Sequence, residues 1–315
     1  MKMEKMGLLS LTAEQYHNHP AVGHSGLVRI MRSPAHYQDY VTNPFEPTPA
    51  MRLGTAVHAA LLEPEAFAEQ YTVFDESLLE GALQSLDDYK AAAVALDIKV
   101  GKMKKDEIKE AIKAADIESR FKFREDEIVR LYDGKIVLPP DEMTAIQSMA
   151  YLVRCHKGAD NLLSDGVAEG SIFWTDPETD IACKCRPDFL KMEGTPYFGI
   201  SDVKSCCDAS AEGFSRSIAK LGYDIQAAYY QDGVKAATGE TLPFYFIAVE
   251  NKAPHAVAVY KASDEMIEVG RAKYRGALQL LKWCRENGQW PAYQPNGEIE
   301  TINLPRWAAN FELEE

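Results

Sequence analysis

Two carboxylates and a lysine are spaced as hydrolytic chemistry would need them: Asp188 and, fourteen residues on, Asp202-Val203-Lys204. Side chains alternate between faces in an extended chain. Asp202 and Lys204 therefore share a face, while Val203 points away and leaves its carbonyl beside them. Oxygen ligands hold a hard cation such as Mg²⁺, which lowers the pKa of bound water and offsets charge as a phosphodiester is attacked. The lysine can orient or deprotonate that water, or stabilise the developing charge. Gln226 and Tyr230, four apart, share one face of a helix. Glutamine can hold a water or a phosphate, and tyrosine can stack on DNA or donate to its backbone. An isolated Asp-x-Lys is a common solvated edge-strand pattern, so the set has meaning only if its elements converge.

Those elements can be read from the pattern. Ser171–Thr175 is expected to be a strand, Asp176-Pro177-Glu178-Thr179 a turn, and Ile181–Leu190 a second strand. On that strand Ile181, Cys183 and Cys185 face a core, and Lys184, Arg186 and Asp188 face the other way, with Pro187 a candidate bend. Tyr197–Ser205 is the third strand, a long helix over about Ala209–Ala237 carries Gln226 and Tyr230, and a hairpin joins Phe244–Glu250 to His255–Tyr260. A helix over Asp264–Glu286 closes the chain. Upstream, Met51–Tyr71 reads as a helix broken at Pro64, and Glu142–Arg154 as an amphipathic helix after Pro140. Between them, Ser85–Leu96 and Lys105–Ala115 form an expected helical hairpin. The order predicts an α/β fold, a mixed β-sheet flanked by helices with a small helical insertion. It divides into an N-terminal helical part (1–84), the insertion (85–118) and a core (119–315).

Composition narrows the class. The 315 residues are 46% hydrophobic and 26% charged, the balance of a soluble globular protein. No apolar run approaches the roughly 18 residues of a membrane span, and Met1–Gly7 lacks the apolar core of a signal peptide. The net charge of −14 argues against a nucleic-acid partner. A carboxylate-rich nuclease can nevertheless be acidic overall and present a local basic channel. Ile98–Arg124 holds nine Lys/Arg against five Asp/Glu, leaving the remainder near −18. That stretch reads equally as a DNA-backbone contact or as a solvated hairpin. The six cysteines form no C-x2-C pair, so they read as reduced thiols and not as a zinc or iron–sulfur site.

As an ordered set, Gly54-Thr55-Ala56-Val57-His58, Asp188, Asp202-x-Lys204 and Gln226-x3-Tyr230 resemble the PD-(D/E)XK nuclease superfamily. Within its RecB-like branch they are most similar to the phage and prophage RecE-type exonucleases (exodeoxyribonuclease VIII). The resemblance extends over Tyr16–Tyr37 and Thr48–Met51 and omits about Ser85–Glu118. It implies His58, Asp188, Asp202 and the Val203 carbonyl as ligands of Mg²⁺, with Mn²⁺ substituting, and Lys204 as the catalytic lysine, assisted by Gln226. Tyr230, Arg186, Glu169, Ser33 and Arg29 become candidate DNA contacts, and Glu169 equally an ordinary acid flanking a strand. Asp202 departs from the glutamate frequent in this branch; it preserves the charge with a shorter reach. The resemblance further implies 5′→3′ degradation of one strand of linear double-stranded DNA to mononucleotides, in the cytoplasm of a bacterial host. A 3′ tail would be left for a RecT-type single-strand annealing protein, and the enzyme would be a homo-oligomeric ring. Trp290, Tyr293, Trp307 and Phe311 are candidates for a subunit interface or for packing on their own core. The alternatives are a RecB-like endonuclease of the same fold, an inert DNA-binding recombination accessory protein, and a thiol centre at Cys183-x-Cys185 and Cys206-Cys207.

Overall fold

The computed structural model describes residues 8–43, 46–116, 118–294 and 296–305. The chain begins with three short helices, α1 (Ala13–Asn18), α2 (His24–Arg32) and α3 (Pro34–Thr42). Thr12 starts the first with a reciprocal capping box. Ser33 ends the second and caps the third, with Pro34 in its first turn. The expected break at Pro64 separates α4 (Pro49–Leu62) from α5 (Pro64–Gln70).

Two short parallel strands, β1 (Tyr71–Val73) and β2 (Ile136–Leu138), bracket the insertion. It comprises α6 (Leu86–Ala95), α7 (Lys105–Ala115) and α8 (Arg124–Tyr132). Tyr89, Ala92, Ala93, Ile108, Ile112 and Phe123 form a separate small core. The packing unit therefore runs past residue 118, because Phe123 belongs to it.

The remaining elements are α9 (Pro140–Cys155), α10 (Lys157–Leu162), β3 (Val167–Ala168), β4 (Ile172–Thr175), β5 (Ala182–Cys185), β6 (Phe189–Lys191), β7 (Gly199–Cys206), α11 (Ala211–Leu221), α12 (Tyr223–Thr238), β8 (Phe244–Glu250), β9 (Val257–Lys261) and α13 (Asp264–Asn287). Five strands make the main sheet in the order β3-β6-β7-β8-β9, with β7 and β8 parallel and the other pairs antiparallel. The period-2 rule sorts its faces. Ile200, Phe244, Phe246 and Ala248 join the core under α12 and α13, while Val203, Ile247 and Val249 join a second core with Val57 of α4 and Ile146 and Val153 of α9. Among the described residues no helix is long and apolar enough to cross a membrane.

Two expected elements divide. Ile181–Leu190 is two strands in two sheets: β5 pairs with β4 and, through a single parallel bridge at Cys183, with Val22, whereas β6 joins the main sheet. Pro187 lacks an amide hydrogen and turns the chain at Arg186-Pro187-Asp188. Lys184 is thereby directed away from Asp188. Its ammonium donates to the carbonyls of Tyr16, His17 and His19 at 2.7, 3.1 and 2.7 Å, where a cation suits the end of α1. The long helix divides at Gly222, whose φ of 72° only glycine adopts without cost. Of the candidate interface aromatics, Trp290 stacks on Tyr37 with centroids 5.8 Å apart and so packs on its own chain, while Tyr293 lies 5.6 Å from His36 and stays 65% exposed. Trp307 and Phe311 lie outside the described residues, as does Met1–Gly7.

Candidate active site

The sheet and two helices bring most of the expected residues together. Asp202, in the middle of β7, is fully buried and held from two sides. Gln226 Nε2 donates to its Oδ1 at 2.5 Å, and the Lys204 ammonium lies 2.5 Å from its Oδ2. Asp188 stands just before β6, and its Oδ2 accepts the Val203 amide hydrogen at 2.6 Å, which locks the carboxylate to the neighbouring strand. From the opposite face, α4 delivers His58. Its Nε2 donates to the Val203 carbonyl at 2.8 Å, and its Nδ1 lies 3.6 Å from Asp188 Oδ1.

Glu169 completes the pocket. Its φ of 53° lies in the left-handed region, a strained place for a non-glycine residue. Its amide donates to the Asp188 carbonyl at 3.0 Å and its carboxylate pairs with Arg186 Nε at 2.6 Å. One ligand atom from each of His58, Glu169 and Asp188 lies within 4.8 Å of the others. Glu169 thus stands among the metal-ligand candidates, whereas Asp202 is engaged by Lys204 and Gln226.

This donor set fits a hard divalent cation. With Nε2 donating to Val203, His58 keeps Nδ1, 3.6 Å from Asp188 Oδ1, as the ring atom that can offer a lone pair to a cation held between them. The electrostatics agree. Burial, reinforced by Asp188, pushes the Asp202 carboxyl up to about 6 against the pull of Lys204. Burial and then Asp188 push Glu169 up to about 7. Burial acts to lower the Lys204 pKa, but Asp202 and Asp188 prevail and raise it, so it remains a cation. Three carboxylates thus face two cations, Lys204 and Arg186, leaving negative charge that a metal would neutralise.

The other expected contacts stand elsewhere. Tyr230 is 9% exposed and packs edge-on to Phe244, because α12 is covered by the sheet and α13. It offers no open stacking face. Ser33 is spent on helix capping, with its Oγ 2.6 Å from His36 Nδ1. Arg29 is half-buried with its guanidinium over the Tyr40 ring at 5.7 Å. Cys183 and Cys185 are buried in the core, and burial pushes the Cys183 thiol up to about 11 and Cys185 well above its usual value, so neither is poised as a thiolate. Sequence reasoning missed Tyr223, whose ring centre is 4.8 Å from the Lys204 ammonium. The only signal for it was Gly222, a helix breaker immediately before it.

Residues 23–305 match the family described as "PDDEXK-like domain of unknown function (DUF3799)". A solved structure from Eubacterium rectale, described as a "putative exonuclease", shares the fold: 12% identity and a TM-score of 0.53 over 96% of this chain and 100% of that one. The structure of SSO0001 is 12% identical over 76% of this chain and 87% of its own, with a TM-score of 0.26, too slight a likeness to bear on the fold. No curated protein matches the chain. The family match spans most of the polypeptide and takes in every residue of the pocket, so the chain belongs to the PDDEXK-like domain family DUF3799.

Proposed function

We propose that the protein is a divalent-metal-dependent DNA exonuclease of the RecE type, cutting one strand of linear double-stranded DNA in the 5′→3′ direction. The observation that carries this reading is the buried Asp202–Lys204 pair at 2.5 Å beside the His58, Glu169 and Asp188 cluster. Hydrolysis consumes one water: its oxygen bonds to phosphorus, the bond from phosphorus to the leaving 3′ oxygen breaks, and that oxygen takes up a proton. His58, Glu169 and Asp188 would hold Mg²⁺, which supplies charge neutralisation at the phosphate and a more acidic water. Lys204 aligns the water or steadies the phosphate oxygens. Gln226 fixes Asp202 through Nε2 and leaves a buried, unpartnered Oε1 that can accept from the water. Strand polarity, mononucleotide products, a ring assembly and a RecT-type partner come with this reading from the resemblance.

The test is incubation with linear 5′-phosphorylated duplex, with and without Mg²⁺, followed by sizing of the products. Mononucleotides and a shortened strand that require both the metal and a free end are expected. Cleavage of a covalently closed circle would instead make it an endonuclease, and binding without cleavage under every metal condition would reject the enzyme.

A further inference from the structure

We propose that Tyr223 is a positioning residue for Lys204, using the face of its ring to hold the ammonium in the direction of the reacting phosphate. The proposal rests on the nuclease reading. The lysine ammonium has two neighbours of opposite kind, Asp202 Oδ2 at 2.5 Å and the centre of the Tyr223 ring at 4.8 Å. A lysine is a point charge on a flexible four-carbon stem, so one ion pair sets its distance from a carboxylate but not its direction. The electron-rich face of an aromatic ring supplies the second restraint.

The fold builds this restraint into the start of one helix. Tyr223 and Gln226 lie three apart in the first turn of α12 and share a face. One engages the lysine and the other the aspartate, so a single helical turn fixes both halves of the pair. The register of that turn is set at Gly222, where an added Cβ would come within 3.2 Å of Val28 Cγ2 and Ile225 Cδ1. His24 Nε2 donates to the Gly222 carbonyl at 3.0 Å, tying the turn to α2. Phe214 and Phe246 back the ring, each with its centroid 6.2 Å away.

Simple packing between Phe214 and Phe246 is the competing role, and the experiment separates the two. Steady-state kcat and KM on linear duplex at saturating Mg²⁺ are measured for Tyr223→Phe, Tyr223→Leu and Tyr223→Met, with a melting temperature for each. Phenylalanines bearing one, two or three ring fluorines are also placed at position 223, keeping the shape while draining the ring face of charge. Losing the ring should lower kcat by about 3- to 30-fold with KM nearly unchanged, the range a partly desolvated cation–ring contact spans. Tyr223→Phe should recover most of that loss, and kcat should fall stepwise with each fluorine. A flat fluorine series, a loss confined to KM, or Leu and Met variants within about twofold of wild type in kcat would overturn the proposal and leave the nuclease reading intact. Wild-type protein that never cleaves would overturn the nuclease reading, and this proposal with it.

Discussion

The pocket and the helical insertion use the same residue types to opposite ends. In the insertion, Lys105 pairs with Glu125 at 2.9 Å, Lys109 with Glu125 and Asp126 at 3.2 and 2.7 Å, and Lys113 with Asp126 at 2.8 Å. Arg120 pairs with Asp116 and Arg124 with Glu76. Hydrogen bonds from Lys105 and Lys109 hold the Glu125 carboxyl below its ordinary value. In the pocket the displacement reverses, and burial drives Asp202 and Glu169 up to about 6 and about 7. Where charges match nearly one for one in contact with water, they pin helices together at modest gain. Where carboxylates are buried in excess, they store a demand for positive charge that a substrate-side metal can meet. Of the four-charge surplus of Ile98–Arg124, Glu125 and Asp126 at the start of α8 and Glu76 upstream take up three charges.

Removing one cation from each region should have very different consequences. Lys204→Ala is expected to abolish cleavage while leaving folding and DNA binding largely intact, since the lysine acts on the reacting groups. Single-turnover rates check it, and residual activity within about tenfold of wild type, a barrier change near 1.4 kcal/mol, would remove Lys204 from the chemistry. Next in size are the ligand candidates. Asp188→Asn and Glu169→Gln should each weaken Mn²⁺ binding by about tenfold or more in calorimetric titration, since even losing a group that merely orients a ligand costs that much. His58→Ala, removing a neutral donor, should cost less. Asp202→Asn sharpens the assignment: affinity kept in that variant but lost in Glu169→Gln would confine the metal to His58, Glu169 and Asp188.

A pH effect of intermediate size follows from the raised carboxyls. In the unfolded chain Asp202 and Glu169 ionise near pH 4, and in the folded metal-free protein near 6 and 7. The folded state thus binds more protons between those limits, so stability from these groups is fully present below about pH 4 and is lost as pH rises to about 7. A divalent cation binds the ionised forms, so Mg²⁺ should raise the melting temperature more at pH 8 than at pH 5.5. Equal shifts at both pH values would mean that the cation does not bind through Glu169. The insertion, where Asp116, Glu125 and Asp126 are paired with cations and lowered, should contribute nothing to that difference.

Much of this site was legible in the sequence because its signals are local. Period-2 alternation places Asp202 and Lys204 on one face with Val203 behind, and β7 has that arrangement. The closing helix was equally plain, expected over Asp264–Glu286 and observed over Asp264–Asn287. What escaped depends on partners far along the chain. Pro187 announces a bend, but nothing local says that β5 and β6 enter different sheets or that Lys184 serves α1. Strand β3 has two residues, too short for a period to register. Glu169 joins the pocket through a left-handed backbone that its type does not advertise. The pairing of α7 lysines with α8 acids likewise needs the hairpin folded back on itself.

The smallest effect belongs to those α7 lysines, and it decides whether the insertion is only a packed appendage. Lys109 is the informative position, because its side chain is 13% exposed and reaches both Glu125 and Asp126. Replacing it with glutamine should cost about 0.5–1 kcal/mol in urea unfolding, the upper part of the range for exposed ion pairs, because two acids lose one partner. The cost should shrink modestly as salt rises to about 1 M, where the screening length falls to about 3 Å, because both acids are exposed although Lys109 is not. A lysine that instead met the DNA backbone would leave stability alone and flatten the log–log salt dependence of binding by about one unit per lost phosphate contact. Neutral replacement of Lys102, Lys104 and Lys105 should likewise leave that slope unchanged, since Lys105 is already held by Glu125. If the slope flattens in either variant, the insertion reaches the substrate and the contrast with the pocket collapses, for both regions would then be working on DNA.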